Sequence, residues 1–122
     1  MNSDSKNTKT KITGKQTANI NHPIFVHSYA SVAGSKEGEG PLGSYFDIIG
    51  KDNMWGENTW ESAESKMQSL ALERALEKGE LTPQDIRYLV AGDLLGQLIA
   101  TSFGIKEFEI PLFGVYGACS TM

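Results

Sequence analysis

The clearest hydrophobic periodicity in the chain lies in residues 59–78, where apolar side chains recur at intervals of three and four. This spacing places them on one face of a helix. The residues of this face are Trp60, Ala63, Met67, Leu70, Ala71 and Ala75. Asn58 and Glu61 have the spacing of a capping box, and Gly79 is the residue type that takes a left-handed position after a last turn. The pattern predicts a helix over residues 59–78 between these two caps.

Shorter apolar runs predict three strands. Residues 24–29 are rich in β-favouring side chains and follow Pro23, which suits the start of a strand. Residues 86–91 contain four consecutive apolar positions and predict a buried strand, and residues 109–116 have an apolar centre of the same kind.

The segments between these runs predict two further helical starts and one loop. Thr82, Pro83 and Asp85 have the composition of a one-turn helix start. Asp93 is a candidate cap for a helix over residues 94–103, which Gly104 would end. Residues 34–43 contain four glycines and a proline and predict a loop, and residues 45–49 follow as an irregular segment with at most one helical turn.

The order of strand, loop, helix, strand, helix and strand predicts an α/β fold with a largely parallel sheet. The length of 122 residues suits one domain, and 39% apolar with 21% charged residues is typical of a soluble globular protein. Residues 1–11 are polar and predict a disordered tail. No apolar run has the length of a transmembrane helix, and we expect no signal peptide.

Net charge and cysteine content exclude several partners. The formal net charge is −4 with no cluster of basic residues, which argues against nucleic acid. A single cysteine, Cys119, excludes an intramolecular disulfide and a multi-cysteine metal cage. His22 and His27 are five residues apart, so a strand would place them on opposite faces, and a capping or surface role is favoured. We therefore expect no metal site and no cofactor.

Two other patterns favour structural interpretations. The segment from Gly38 to Gly43 matches the spacing of a dinucleotide fingerprint, but flanking acids and Pro41 oppose phosphate binding, so a shaped loop is favoured. Five carboxylates match no calcium loop, and a solvated acidic face is the default interpretation. These residues are Asp47, Asp52, Glu57, Glu61 and Glu64.

Cys119 is the strongest candidate for chemistry. It follows a predicted strand and is flanked by small residues, and a strand that leads into a tight turn is how several enzyme folds expose a nucleophile. A small buried cysteine that packs like alanine is the alternative. The residues themselves leave both interpretations open, since nothing in the sequence brings His22 or His27 near Cys119.

Five separated motifs, in order, resemble the stage V sporulation protein AD family, a member of the thiolase-like superfamily. They are Lys11 to Thr17, His22 to Val26, Gly40 to Gly43, Ala91 to Leu95 and Gly117 to Thr121. The resemblance covers nearly all of the chain after the tail but only the N-terminal part of the family's length. It implies a partial thiolase-like domain over residues 12–122, formed by the N-terminal portion of the first α/β half with a mixed, largely parallel sheet.

The resemblance also implies a function and a site. The family is understood to bind dipicolinic acid (pyridine-2,6-dicarboxylate) with calcium and to aid its uptake into the developing spore. Cys119 matches the nucleophile position of thiolases, and Cys119, Ser120 and Thr121 are the expected ligand-binding residues. The implied partners are membrane proteins of the same operon, at the cytoplasmic face of the spore inner membrane, and a second copy of the full-length protein. The alternatives are an acyl transferase with Cys119 as nucleophile, or a fragment without function of its own.

Overall fold

The structure is a computed structural model that describes residues 11–15, 17–20 and 22–117. Its strands are β1 (Lys11–Thr13), β2 (Thr17–Asn19), β3 (Val32–Ala33), β4 (Ile48–Ile49), β5 (Leu89–Ala91) and β6 (Leu112–Gly114). Its helices are α1 (Ser35–Gly38), α2 (Trp60–Lys78) and α3 (Ile99–Ile105), with 3₁₀ turns at Gly43–Tyr45, Pro83–Asp85 and Lys106–Phe108. Strands and helices alternate after β3, which confirms the predicted α/β class.

The described strands form small pairs rather than one continuous sheet. β1 and β2 are antiparallel, whereas β3 pairs with β4 and β5 pairs with β6 in parallel. In the last pair Leu89 lies opposite Leu112 and Ala91 lies opposite Gly114. A helix-containing connection joins the strands of each parallel pair, as parallel pairing requires. The parallel arrangement predicted for residues 86–91 and 109–116 is confirmed by β5 and β6, whereas the pair of β3 and β4 was not predicted.

The packing of α2 against α3 forms the centre of the described core. Ala63 on α2 and Ala100 and Ile105 on α3 are buried. The Ser65 hydroxyl donates to the Ala100 carbonyl oxygen at 2.7 Å, so a hydrogen bond also joins the two helices. Gly104, which the sequence predicts to end a helix, lies inside α3 instead. A Cβ on it would lie only 2.5 Å from the Ser65 carbonyl oxygen, so the glycine permits the close approach.

Helix α2 has the predicted extent but different caps. Its N-cap is Thr59, whose side chain accepts from the Ser62 amide at 3.1 Å, so the prediction that Asn58 caps the helix is wrong by one residue. Gly79 has φ −85° and is not left-handed; Glu80 takes the positive φ of 52°. The glycine is suited to its position for a different reason, because a Cβ there would lie 2.8 Å from Ser28 Oγ.

The predicted strand over residues 24–29 is wrong. Residues 23–31 take no regular secondary structure, and the strand is Val32–Ala33, which pairs with β4. Phe25 and Val26 are 82% and 83% exposed, so neither packs into the described core. Side-chain propensity for strands reflects packing against neighbours, and within the described residues these side chains have little to pack against.

The glycine-rich segment over residues 34–43 is more regular than predicted. It begins with the helical turn of α1, and a 3₁₀ turn starts at Gly43. A Cβ on Gly43 would overlap the Gly38 carbonyl oxygen, so the segment folds tightly on itself as a shaped loop. The irregular segment that follows contains the short strand β4. The one-turn helix start predicted at Thr82, Pro83 and Asp85 is present as the 3₁₀ turn Pro83–Asp85, and Thr82 and Asp85 form a capping box there.

Strands β5 and β6 lie within the predicted ranges, 86–91 and 109–116, but are shorter. They are also less buried than predicted, since Val90 is 65% exposed and Phe113 is 67% exposed among the described residues. The helix predicted over residues 94–103 is displaced, and α3 begins only at Ile99. The cause of this displacement lies at Asp93.

Candidate functional site

The carboxyl ends of β5 and β6 form one edge of the fold, which we call the carboxyl edge. It comprises residues 91–98 and 114–117, together with Glu64 and Gln68 of α2. The backbone hydrogen bonding continues one residue beyond β6, because the Val115 amide donates to the Ala91 carbonyl oxygen at 2.9 Å. In open α/β sheets, ligands bind beyond the carboxyl ends of parallel strands. The carboxyl edge is therefore the candidate functional site.

The predicted ligand-binding residues Cys119, Ser120 and Thr121 lie outside the described residues. The described chain follows β6 as far as Gly117, two positions before Cys119. The roles of the three side chains therefore stay predictions. His22 is exposed, and His27 Nε2 lies 3.0 Å from the Gly79 carbonyl oxygen at the end of α2, which is the capping role that the sequence favours.

Asp93 is a buried carboxyl group of the carboxyl edge with three hydrogen-bond donors around it. It is only 4% exposed, and its Oδ1 accepts from the Leu98 amide at 2.9 Å. Its Oδ2 accepts from both the amide and the hydroxyl of Thr101, each at 2.9 Å. Burial alone would raise the pKa of Asp93, but these donors outweigh it and hold the pKa below its usual value, so the group is a carboxylate.

These hydrogen bonds explain why α3 begins later than predicted. Asp93 does cap the helix, but it does so across a loop of five residues, from Leu94 to Leu98, rather than as the adjacent residue. The loop closes with two consecutive left-handed residues, Gln97 at φ 50° and Leu98 at φ 77°. Non-glycine residues adopt this conformation at a cost, which amide donation to a buried carboxylate can offset.

Helix α2 supports the same loop with two polar side chains. Glu64 Oε1 accepts from the Leu94 amide at 3.0 Å, and Gln68 Nε2 lies 3.4 Å from the Gly92 carbonyl oxygen. Glu64 Oε2 is buried and has no hydrogen-bond partner among the described residues. Glu64, Gln68 and Ala71 have the i, i+4, i+7 spacing of one helical face. That spacing is the sequence signal that could have indicated their shared role.

The interpretation of the acidic residues as a solvated face is wrong for two of them, Glu64 and Asp47. Asp47 accepts from Lys78 Nζ at 2.8 Å and from the Ser31 amide at 2.9 Å, and Arg74 Nε lies 3.9 Å away. The hydrogen bond from Lys78 is the main reason that the pKa of Asp47 is lowered. Asp47 therefore joins the end of α2 to the segment before β3.

A cavity of about 380 Å³ opens between α2 and the β5–β6 pair. Its described lining is mainly apolar, from Ala71, Leu72, Ile105 and Val115, and Gln68 supplies its polar side chain. A dicarboxylate needs several donors or a cation, so this cavity does not suit one. Within the described residues no group of three or more His, Cys, Asp or Glu side chains could hold a metal ion.

The fold and the carboxyl edge define an α/β protein whose candidate site lies beyond a parallel strand pair. Comparison with known sequences is more specific. A sequence model of the family "Stage V sporulation protein AD (SpoVAD)" matches residues 14–122. The chain is also 44% identical over 111 residues to "Stage V sporulation protein AD" of Bacillus subtilis (strain 168). The chain therefore belongs to the stage V sporulation protein AD family, which confirms the resemblance of its motifs.

The matched region covers 91% of this chain and 33% of the Bacillus subtilis protein. The chain thus spans about one third of the length of the curated relative that it matches. Among the residues that the structure describes, no helix has both the length and the apolar character needed to cross a membrane.

Proposed function

We propose that this chain is part of a sporulation protein that binds dipicolinate, with calcium, and aids its uptake into the developing spore. Membership of the stage V sporulation protein AD family is the observation that carries the proposal. The α/β class and the two parallel strand pairs are compatible with the thiolase-like fold that the family resemblance implies. The proposed site is the segment after Gly117, with Cys119, Ser120 and Thr121 as its ligand-binding residues in this chain.

The charge of the carboxyl edge favours the calcium complex over the free dianion. The residues that form the described edge include two carboxylates, Asp93 and Glu64, and no lysine or arginine. A planar dianion would therefore meet negative charge here, whereas its complex with Ca²⁺ carries no net charge. The hydroxyls of Ser120 and Thr121 and nearby amides can supply neutral hydrogen bonds to carboxylate oxygens.

The family resemblance also suggests where the protein works and with which partners. We place it at the cytoplasmic face of the spore inner membrane, beside membrane proteins of the same operon, as a homodimer when full-length. Exposed apolar side chains such as Phe25 and Val26 are compatible with a further contact surface. Light scattering on the complete gene product checks the homodimer, and a monomeric mass would contradict it.

Calorimetry tests the proposed ligand. Calcium dipicolinate is titrated into the complete gene product that contains this chain, as wild type and as Cys119→Ala. Saturable heat from the wild type, weakened by the substitution, is the expected result because the thiol lies in the proposed site. Ser102→Ala, an exposed hydroxyl on α3, is the matched control and should leave the isotherm unchanged. No saturable heat from the folded wild type would refute the proposal.

A second measurement separates binding from acyl transfer. Under the proposal, incubation with acyl-coenzyme A leaves Cys119 unmodified, and intact-mass and peptide mass spectrometry check this. A covalent acyl adduct on Cys119 would instead identify the cysteine as a nucleophile of thiolase type, and would replace the binding function with catalysis.

A further inference from the structure

A second cleft lies where β3 ends, between that strand, the segment after β4 and the start of α2, and we call it the aromatic cleft. It has a volume of about 530 Å³. Both tryptophans of the chain, Trp55 and Trp60, line it together with Phe46 and Met67. Phe46 and Trp55 are half-buried and Trp60 is 57% exposed, so aromatic surface is left that a ligand can cover.

Contacts from three sides hold Trp55 in this cleft. Asp52 Oδ1 accepts from two amides of the loop that carries the tryptophan, at 2.8 and 3.3 Å. Lys66 Nζ of α2 donates to the Trp55 carbonyl oxygen at 2.9 Å, and the indole lies against Gly50, where a Cβ would be 2.6 Å from ring atom Cε2. Trp55 also has a positive φ of 54°, which a non-glycine residue keeps only where its surroundings determine it. The aromatic wall is therefore preorganised, which lowers the cost of binding.

Glu37 gives the aromatic cleft its charge. It is the only charged residue in the described lining, which contains no lysine or arginine. A Cβ on Gly34 would lie 3.1 Å from Glu37 Oε2, so the carboxylate lies just beyond the end of β3. Among the described residues this carboxylate has no hydrogen-bond or ion-pair partner. Aromatic faces and an unpaired carboxylate both attract a cation and oppose an anion.

The small number of acceptors selects the kind of cation. A primary ammonium group has three donors to satisfy, but the polar side chains of the lining are only Glu37 and Asn53. The Asn53 carbonyl oxygen already lies 3.4 Å from a hydroxyl donor, that of Ser35. A quaternary ammonium group has no donors, and the faces of aromatic rings can surround its methyl groups.

We propose that the aromatic cleft binds a quaternary ammonium group, with Trp55 and Trp60 against its methyl groups and Glu37 balancing its charge. The start of α2 at Trp60 carries partial positive charge, but Glu61 in the same turn offsets it. The proposal does not rest on the proposed function, because it uses other residues and a ligand of opposite charge to dipicolinate.

Ligand-observed NMR on the complete gene product tests the proposal, with saturation transfer to the methyl protons of choline as the readout. Two probes serve as matched controls: 3,3-dimethyl-1-butanol has the shape of choline without its charge, and ethanolamine carries a primary ammonium. Choline should bind about tenfold more tightly than either probe. Equal binding of choline and the neutral alcohol would show only an apolar surface, and no binding of choline would also refute the proposal.

Glu37→Gln tests the carboxylate, since it keeps the size of the side chain and removes its charge. It should weaken choline binding by about two- to fivefold, the effect of one exposed charge pair. Glu39→Gln is the matched control, because Glu39 is an exposed carboxylate two residues away that does not line the cleft. If the two variants bind choline equally well, Glu37 does not contribute and the proposal is wrong.

Trp60→Leu tests the aromatic wall, since leucine remains apolar and suits a helix but has no ring face. It should weaken choline binding by about tenfold and leave the binding of 3,3-dimethyl-1-butanol within about twofold. Trp60→Phe, which keeps a ring, should restore part of the loss. Circular dichroism checks that each variant is folded, and the exposed Glu37→Gln and the conservative Trp60→Phe still decide the outcome if Trp60→Leu is not. Unchanged choline affinity in a folded Trp60→Leu variant would overturn the proposal.

Discussion

Replacing Gly104 by alanine tests the contact between α2 and α3, because the substitution should stabilise α3 through helix propensity and destabilise its packing against α2. Alanine in place of glycine inside a helix stabilises it by about 1 kcal/mol when nothing else changes. In α3, however, the new Cβ would lie 2.5 Å from the Ser65 carbonyl oxygen and 3.0 Å from the Ser65 Cα and carbonyl carbon. These are backbone atoms of α2, which cannot rotate away as a side chain can.

The packing penalty should exceed the propensity gain. Relief of the contact requires the two helices to separate by roughly 1 Å, which would weaken the packing of α2 against α3. It would also stretch the Ser65–Ala100 hydrogen bond. Overpacking of this kind costs about 1–3 kcal/mol, and the loosened hydrogen bond adds about 1 kcal/mol. We expect Gly104→Ala to lower the free energy of unfolding by about 1–3 kcal/mol after the propensity gain is included.

Urea unfolding of the complete gene product, followed by circular dichroism, measures this change. Hydrogen exchange of peptides from α2 and α3 localises it. Ser102→Ala is the control, because Ser102 is exposed on the same helix and its replacement should change stability by no more than about 0.5 kcal/mol. If Gly104→Ala is as stable as the wild type or more stable, helix propensity dominates and the close approach of the helices does not constrain this position.

Three further substitutions test the electrostatics and the capping of α2. The lowered pKa of Asp47 means that it stabilises the folded protein above its ordinary pKa of 3.8 and loses this effect as the pH falls through the folded value. Asp47→Asn should therefore be less stable than the wild type at pH 7, and the urea midpoints of the two proteins should converge below about pH 3.8. A difference between the two midpoints that persists in acid would contradict the ion pair with Lys78. Thr59→Ala should lower the free energy of unfolding by about 1 kcal/mol, measured by thermal or urea unfolding, and Asn58→Ala should lower it by less than half of that. The reverse order would show that Asn58 caps the helix, as the sequence predicted.

The elements that could be predicted from sequence are those whose signal is local. The spacing of apolar residues along α2 specifies a helical face whatever surrounds it, and the helix forms within one residue of the predicted start. The Thr82–Asp85 capping box is local in the same sense, since both partners lie within one turn. β5 and β6 form inside their predicted ranges because their β-favouring cores are contiguous.

Predictions failed where a distant contact determines the conformation. Residues 24–29 favour a strand by composition, but a strand needs a partner, and the partner of β4 is Val32–Ala33 instead. The helix after Asp93 starts late because its capping carboxylate reaches across a loop to Thr101. In the candidate site, sequence motifs indicated Cys119 and its neighbours, but the support from Glu64, Gln68 and Leu98 depends on which elements pack together.

The sequence by itself determined the family, the α/β class and the extent of the long helix, because motifs, element order and periodicity are carried by neighbouring residues. The tertiary structure alone decided why particular residues are needed. Position 79 needs a glycine because a side chain from another part of the chain lies close to it. Position 104 needs a glycine because the backbone of another helix lies close to it. Asp93 is explained by donors from Leu98 and from Thr101 of α3, which both reach its buried carboxylate. Such contacts join positions far apart in the chain, and only folding brings them together.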